Sequence, residues 1–208
     1  MIITKTIKAC VIVSGIALLA ACGGGGSKEE YPTGDRYKTE RPGVADPSAT
    51  ASTNTATQGV FLDSPVVGLD YKTATTSGKT DSQGKFNYSG TGKVEFFYGS
   101  ISFGSSDANS LVTPLDLSAD SNVVINQLRL LQTLDVDGDP SNGILLPDSG
   151  LIPADININF AQSQTDFSND ANVLALLAAT TNVTTLVTAE AAQAHFNQSL
   201  SSYKSIAR

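Results

Sequence analysis

Three aspartates at alternate positions are the residues whose type and spacing are best suited to chemistry. They are Asp135, Asp137 and Asp139, and they stand in a turn-forming segment, residues 135–143, that also contains Asn142. Ca²⁺ takes about six to eight oxygen ligands from carboxylates, amides, backbone carbonyls and water. The spacing therefore predicts a calcium site made of the three aspartates and Asn142. A solvated turn that caps the preceding helix is equally compatible with the sequence.

The acidic segment resembles the start of an EF-hand or dockerin-type calcium loop. It departs from that pattern in the position of Gly138 and at the twelfth position, where Leu146 replaces the bidentate glutamate. Asp148 is a substitute only if the loop bends back. A bound calcium ion is expected to be structural rather than catalytic.

No catalytic residues are predicted. His195 is the only histidine, and it falls in a predicted helix among small residues, which favours a structural or surface role. No G-x-S-x-G, H-E-x-x-H or Walker sequence occurs, so the signatures of nucleophilic, zinc and phosphate sites are missing. The sequence thus predicts a protein that is not an enzyme. A carboxylate-dependent hydrolase stays open as a remote alternative, because carboxylate separation is set in three dimensions.

Cys22 is a further residue whose side chain could take part in chemistry, because it closes the tetrapeptide Leu19-Ala20-Ala21-Cys22. Before it come Lys5, Lys8 and an apolar run at residues 9–20, which suits a secretory signal and is too short to span a bilayer. These features resemble the lipobox of bacterial lipoproteins. The resemblance implies that residues 1–21 are removed and that Cys22 receives diacylglycerol and an N-acyl chain.

The residue after Cys22 bears on the location of the protein, and the net charge bears on its partners. Gly23 stands where lipoproteins of the inner membrane typically carry aspartate, so the resemblance implies the outer membrane, with the periplasmic or surface face left open. Without residues 1–21 the chain has 11 basic and 20 acidic residues, a net charge of −9. This balance excludes nucleic acid as a partner. Cys10 leaves with the signal and Cys22 is acylated, so no disulfide is expected.

The elements that must position these residues begin after a predicted tether at residues 22–57. This segment opens with a glycine–serine run and is rich in Thr, Ser, Pro, Asp and Glu, a composition that does not bury enough apolar surface to fold. Residues 58–117 are predicted to form the β-sandwich, because apolar residues from Gly59 to Gly104 alternate at period two, as in a half-buried antiparallel sheet. They are Val60, Leu62, Val67, Leu69, Tyr71, Phe86, Tyr88, Val94, Phe96, Tyr98, Ile101 and Phe103.

Two turns can be predicted within this region. Residues 81–84 end in Gly84, which suits a positive φ, and Gly99-Ser100 fits a two-residue hairpin. That hairpin would place Tyr98 opposite Ile101, and Phe96 opposite Phe103.

Residues 118–208 are predicted to form a mainly helical lobe that contains the acidic loop. Apolar spacing predicts a helix at residues 122–134, Ser168 is predicted to cap a second helix, and Thr188 a third. Residues 156–160 alternate and predict a strand. The predicted fold class is therefore α+β, a small antiparallel β-sandwich followed by helices.

Short motifs add a family resemblance. Residues 80–86, T-D-S-Q-G-K-F, are similar to the T-D-x-x-G-x-F hairpin of carboxypeptidase-regulatory-like, transthyretin-like β-sandwich domains, which implies an immunoglobulin- or transthyretin-like fold. Residues 59–69, 112–117, 130–135, 142–144 and 194–196 resemble a module of Gram-negative surface and adhesin-like lipoproteins, some described as pilus-assembly proteins of the Fil type.

This resemblance implies an outer-membrane lipoprotein that acts as a binding or adhesion module with a protein partner in the envelope. A periplasmic accessory component of a pilus or secretion assembly is the alternative.

Overall fold

Short strands form the first half of the described chain and helices form most of the second half. The computed structural model describes residues 57–206. The strands are β1 (Thr57–Phe61), β2 (Val66–Val67), β3 (Asp70–Thr73), β4 (Ser77–Lys79), β5 (Lys85–Tyr88), β6 (Lys93–Tyr98), β7 (Ile101–Asp107), β8 (Leu111–Val112) and β9 (Ile144–Leu145). The helices are α1 (Pro114–Leu117), α2 (Ser121–Leu134), α3 (Gln164–Asn169), α4 (Ala171–Thr180) and α5 (Ala189–Ile206). The described chain is thus a mixed α and β structure with a helical C-terminal region.

Three sheets organise the strands. The largest has the order β4-β3-β6-β7, the second has the order β5-β1-β8, and β2 pairs with β9. The two larger sheets meet through aromatic side chains: the ring centroids of Phe61 and Phe96 lie 4.6 Å apart, and those of Phe86 and Phe96 lie 5.2 Å apart. The pairing of β2 with β9 is parallel, with Val66 opposite Ile144. Strand β9, which comes from the mainly helical half of the described chain, therefore pairs with a strand of the first half.

Both predicted turns are confirmed. Gly84 has φ of 69°, and the Asp81 carboxylate accepts hydrogen bonds from the backbone N–H groups of Gln83 and Lys85 at 2.8 and 2.9 Å. This turn leads the chain from one large sheet into the other, because β4 pairs with β3 and β5 with β1. Gly99 has φ of 58° in the two-residue connection between β6 and β7.

The register of this hairpin is only partly as predicted. Tyr98 does lie opposite Ile101, but the prediction that Phe96 lies opposite Phe103 is wrong. A bulge between Phe96 and Phe97 shifts the pairing, so that Phe96 faces Gly104. A bulge inserts one unpaired residue and kinks the strand, which still leaves the Phe103 side chain in the core.

Helix α2 has the predicted extent, and Thr188 lies directly before α5, where its hydroxyl accepts a hydrogen bond from the Ala191 N–H at 3.2 Å. The predicted cap at Ser168 is wrong, because Ser168 lies within α3. Asp170 caps α4 instead, and its carboxylate accepts from the N–H groups at the second and third positions of that helix. An aspartate suits this position because it satisfies amides that have no partner within the helix.

The predicted strand at residues 156–160 is also wrong. The side chains of Ile156 and Phe160 are buried, as the alternation requires, but the backbone between them pairs with no other strand. Phe160 packs on Phe103 and Phe167, with ring centroids 5.1 and 5.7 Å apart. Alternating burial here comes from a loop that covers the core.

One core joins strands and helices. Leu130, Leu131 and Leu134 of α2 are fully buried in the same cluster as the strand aromatics. A second cluster lies between α2 and α5 and includes Leu128 and Phe196. No helix within residues 57–206 combines the length and the apolar content needed to cross a membrane.

Candidate functional site

The acidic segment begins at the end of α2, where Asp135 is the C-cap residue. One oxygen of its carboxylate, Oδ1, accepts a hydrogen bond from the Leu145 N–H at 2.9 Å and so joins the end of the helix to β9. The residue is only 5% exposed, and its Oδ2 is buried without a hydrogen-bond partner. Burial raises the pKa of Asp135. Only one of the two carboxylate oxygens of Asp135 therefore has a hydrogen-bond partner.

Asp137 lies beside it, and the interaction between the two carboxyl groups further raises the pKa of Asp135. Asp137 Oδ2 accepts from Asn142 Nδ2 at 3.0 Å, and Oδ1 accepts from the Asp139 N–H at 2.9 Å. The Asn142 hydrogen bond is the main reason that the pKa of Asp137 is lowered.

Asp139 acts as the cap of a short helical turn. Its Oδ1 accepts from both the N–H and the hydroxyl of Ser141, at 3.1 and 2.6 Å, and thereby caps the 3₁₀ turn Pro140–Asn142. Asn142 directs its amide nitrogen toward Asp137. Within residues 57–206 no three His, Cys, Asp or Glu side chains are gathered as a metal-binding group. The structure thus pairs Asp135 with Asp137, and the predicted four-residue calcium site stays a prediction.

His195 forms a second polar cluster that sequence reasoning missed. Its Nε2 lies 3.0 Å from the hydroxyl of Ser64 and 3.2 Å from that of Ser199, and the two hydroxyl oxygens are 3.1 Å apart. Ser64 belongs to the connection between β1 and β2, 131 positions before His195. No local motif could have indicated this contact, because it depends on where α5 docks.

A serine beside a histidine is a possible nucleophile and base. The arrangement nevertheless lacks the other parts of such a site. Pro65 follows Ser64 and has no N–H to offer a developing oxyanion. No carboxylate in residues 57–206 is hydrogen-bonded to the imidazole. Burial lowers the pKa of His195, which favours the neutral ring as an acceptor of hydroxyl protons. This favours a structural role, fastening α5 to the β1–β2 connection.

A groove of about 230 Å³ opens next to this cluster, between α5, the β1–β2 connection and the 3₁₀ turn of the acidic segment. Apolar side chains contribute most of its surface, and hydroxyl groups and the imidazole supply polar contacts. The lining residues are Leu62, Ser64, Pro65, Ser141, His195, Gln198, Ser199, Ser202, Tyr203 and Ile206. Its mainly apolar lining suits a small apolar group or a side chain of a partner.

Asp63, beside this groove, is fully buried. Both of its carboxylate oxygens lie 3.0 Å from Gln132 Nε2, which also donates to the backbone oxygen of Ala192 at 3.1 Å. Burial raises the pKa of Asp63 to about 8, with the Gln132 hydrogen bond opposing the rise. The side chain therefore carries its proton at neutral pH, and together with Gln132 it joins three elements: the β1–β2 connection, α2 and α5.

Arg129 is the other buried ionisable group that sequence reasoning missed. Its guanidinium donates to the backbone oxygens of Val187 and Gln164 at 2.8 and 3.1 Å, and to the Ser168 hydroxyl at 2.7 Å. Burial lowers its pKa. These bonds hold α3 and the segment before α5 onto α2, which indicates an architectural role.

The predicted lipidation site, Cys22, lies outside the described residues, as do residues 1–21 and nearly all of the predicted tether. Comparisons with protein-family models, with characterised proteins and with solved structures find no match to this chain.

Proposed function

We propose that this protein is an outer-membrane lipoprotein, anchored through acylated Cys22, that acts as a non-enzymatic binding or adhesion module of the cell envelope. The observation that carries the proposal is the tetrapeptide Leu19-Ala20-Ala21-Cys22 behind a basic and then apolar N-terminal segment. More than one acyl chain on one residue gives stable anchoring, because each buried methylene adds about 0.8 kcal/mol.

The arrangement after Cys22 supports the same function. Residues 23–56 have a tether composition, and the first described strand begins at Thr57. A folded unit at the end of such a spacer can reach a partner away from the bilayer. The groove beside α5 offers a surface for that contact, with Ile206 at its rim 85% exposed. The absence of an oxyanion donor after Ser64 favours binding over hydrolysis.

We further propose that the strand region is a small sandwich of the transthyretin-like kind. Its support is the contact between β1 and β6 through Phe61 and Phe96, which belong to different sheets. The Thr80–Phe86 motif agrees with this proposal, since Thr80 accepts a hydrogen bond from the Leu69 N–H at 3.0 Å and Phe86 is buried in the shared core.

Metabolic labelling with a clickable palmitate analogue tests the anchor. The wild-type chain should be labelled and recovered with outer membranes, and Cys22→Ser should be neither. Cys10→Ser is the matched control, because it removes the other cysteine of the N-terminal segment and should leave labelling intact. Equal labelling of wild type and Cys22→Ser would refute the anchor. Protease treatment of intact cells then separates the surface face, where the chain is cut, from the periplasmic face.

Cross-linking in intact cells tests the binding surface. Ser202 lines the groove and Asn197 lies on α5 outside it. A cross-linked partner should be lost with Ser202→Arg and kept with Asn197→Arg. A partner that both variants retain would exclude the groove as the contact surface.

A further inference from the structure

Helix α5 is attached to the rest of the domain by few apolar contacts. Of its 18 residues only Ala192 and Phe196 are buried. They pack with Val124, Ile125 and Leu128 of α2 in a cluster that is separate from the main core. Among the described residues, the main core holds the strand aromatics and includes no residue of α5. Proteins open locally in units that share few buried contacts with their surroundings, so α5 can leave while the main core stays closed.

Polar contacts with the β1–β2 connection supply the rest of the attachment. Gln132 Nε2 lies 3.0 Å from both carboxyl oxygens of Asp63 and donates to the backbone oxygen of Ala192 in α5 at 3.1 Å. The next residue, Ser64, places its hydroxyl 3.0 Å from His195 Nε2. A single amide group therefore links the buried Asp63 side chain to the backbone of α5, and removal of the helix would let water reach that side chain.

The surroundings of Asp63 suit the neutral acid and not the carboxylate anion. The side chain is fully buried, both of its oxygens share one nitrogen as their donor, and neither ion pair of the described residues includes it. A buried charge is costly unless it has a charged partner or several donors. In agreement with this geometry, burial raises the pKa of Asp63 to about 8. Exposed to water, the same group would return to a pKa of about 4.

Charged groups on the surrounding elements do not pair with Asp63. The β1–β2 connection and strands β8 and β9 contain no other charged residue. The charged groups on the remaining elements are Arg129 on α2, Asp120 and Asp135 at its ends, Glu190, His195 and Lys204 on α5, and Asp139 at the 3₁₀ turn. Within residues 57–206 none of them is hydrogen-bonded or ion-paired to Asp63. Burial lowers the pKa of His195, with Asp139 opposing, so undocking of α5 favours protonation of the imidazole below about pH 6.5.

We propose that α5 undocks from the domain as a unit and that loss of the Asp63 proton favours the undocked form. The docked form keeps this proton up to about pH 8 and the undocked form loses it above about pH 4, so rising pH weakens docking between these limits. His195 opposes this effect only below about pH 6.5. Undocking would separate the two walls of the groove, since the β1–β2 connection forms one and α5 the other. The device depends on neither the lipid anchor nor a partner in the groove.

Hydrogen exchange of the full-length chain in detergent, followed by mass spectrometry at pH 6.5 and pH 8.5 and corrected for intrinsic exchange, tests the proposal. Amides of α5 should be less protected than those of the β6–β7 hairpin by about a hundredfold or more. Their protection should fall about tenfold between the two pH values in the wild type. In Asp63→Asn only His195 still titrates, and protection should change by no more than about twofold. Asp107→Asn is the matched control, because its carboxylate is exposed and pairs with Lys93, and it should behave as the wild type.

Two results would overturn the proposal, one for each of its parts. Equal protection of α5 and the β6–β7 hairpin would mean that the helix opens only when the whole domain unfolds. An equal fall in protection in the wild type and Asp63→Asn, or its loss in Asp107→Asn as well, would remove Asp63 from control of docking. Protection of α5 that does not fall with pH in the wild type would do the same, which keeps the test decisive if Asp63→Asn does not fold.

Discussion

Replacing Asp63 with asparagine should change how the stability of the protein depends on pH. The carboxyl group is fully buried, and its pKa is raised from 3.8 to about 8. Asparagine has nearly the same shape and does not titrate. Its Oδ1 can still accept the hydrogen bond from Gln132.

The sign follows from proton binding. Between pH 4 and pH 8 the unfolded chain has lost the Asp63 proton and the folded chain retains it, so stability falls as pH rises. The contribution of Asp63 is fully present below its unfolded pKa and is lost as pH rises toward the folded pKa. One pH unit corresponds to about 1.4 kcal/mol, so the wild type should lose about 3 kcal/mol between pH 5 and pH 7 from this group alone. Because whole domains have about 5–15 kcal/mol of stability, the effect is large.

Urea unfolding of the wild type and Asp63→Asn at several pH values measures this effect. Far-UV circular dichroism is the appropriate signal, since the chain has no tryptophan. His195, whose pKa is lowered in the folded state, should make stability rise with pH, but it is present in both proteins and cancels in their difference. That difference should shift by about 3 kcal/mol in favour of the variant from pH 5 to pH 7. Parallel curves for the two proteins would refute a buried, protonated Asp63.

Three further substitutions and one control, Gly90→Ala, test packing and backbone geometry, each by urea unfolding at one pH. Gly84→Ala should cost about 2 kcal/mol or more of folding stability, because φ at Gly84 is 69° and an added Cβ would lie 2.9 Å from the Val66 nitrogen. Gly90→Ala should cost only about 1 kcal/mol, because φ at Gly90 is also positive, at 65°, but an added Cβ would meet no atom within 4 Å. Equal losses in the two variants would contradict the close approach at Gly84. Arg129→Lys keeps the charge but loses the forked donors, and it should cost about 2–3 kcal/mol; an unchanged midpoint would deny the guanidinium its architectural role. Phe196→Ala should cost about 3–5 kcal/mol by leaving a cavity between α2 and α5, and a loss below about 1 kcal/mol would show that α5 contributes little to stability.

Sequence patterns predicted the strand region and helices α2 and α5 because those elements have clear apolar periodicity. The prediction of strands fails where side-chain burial alternates along a segment that pairs with no other strand. Ile156 and Phe160 alternate in burial, yet their backbone forms no strand, since alternation specifies which side chains face the core and says nothing about a partner strand. The bulge beside Phe96 has no signal in the apolar pattern, because Ile101 and Phe103 are both buried and the change of phase falls in the polar residues 104–107.

The site could be predicted only in part. Spacing identified the acidic segment but treated Asp135, Asp137 and Asp139 alike, although Asp135 is buried and Asp139 is a cap. The burial of Asp135 involves β9, whose Leu145 N–H donates to its carboxylate, whereas Asp139 bonds to Ser141 within its own turn. Ser64 and His195 are farther apart in the sequence, and no local motif indicates their contact.

The placement of α5 has a consequence for the order of events in folding. Within residues 57–206 this helix is the last element, yet it covers residues that directly follow β1, through the hydrogen bond between Ser64 and His195, 131 positions apart. Contacts between distant positions slow folding, because the entropy of loop closure is lost before they form. A chain truncated before residue 189 would leave Asp63 and its neighbours open to water. The β1–β2 connection is therefore fully covered only after α5 has docked on it.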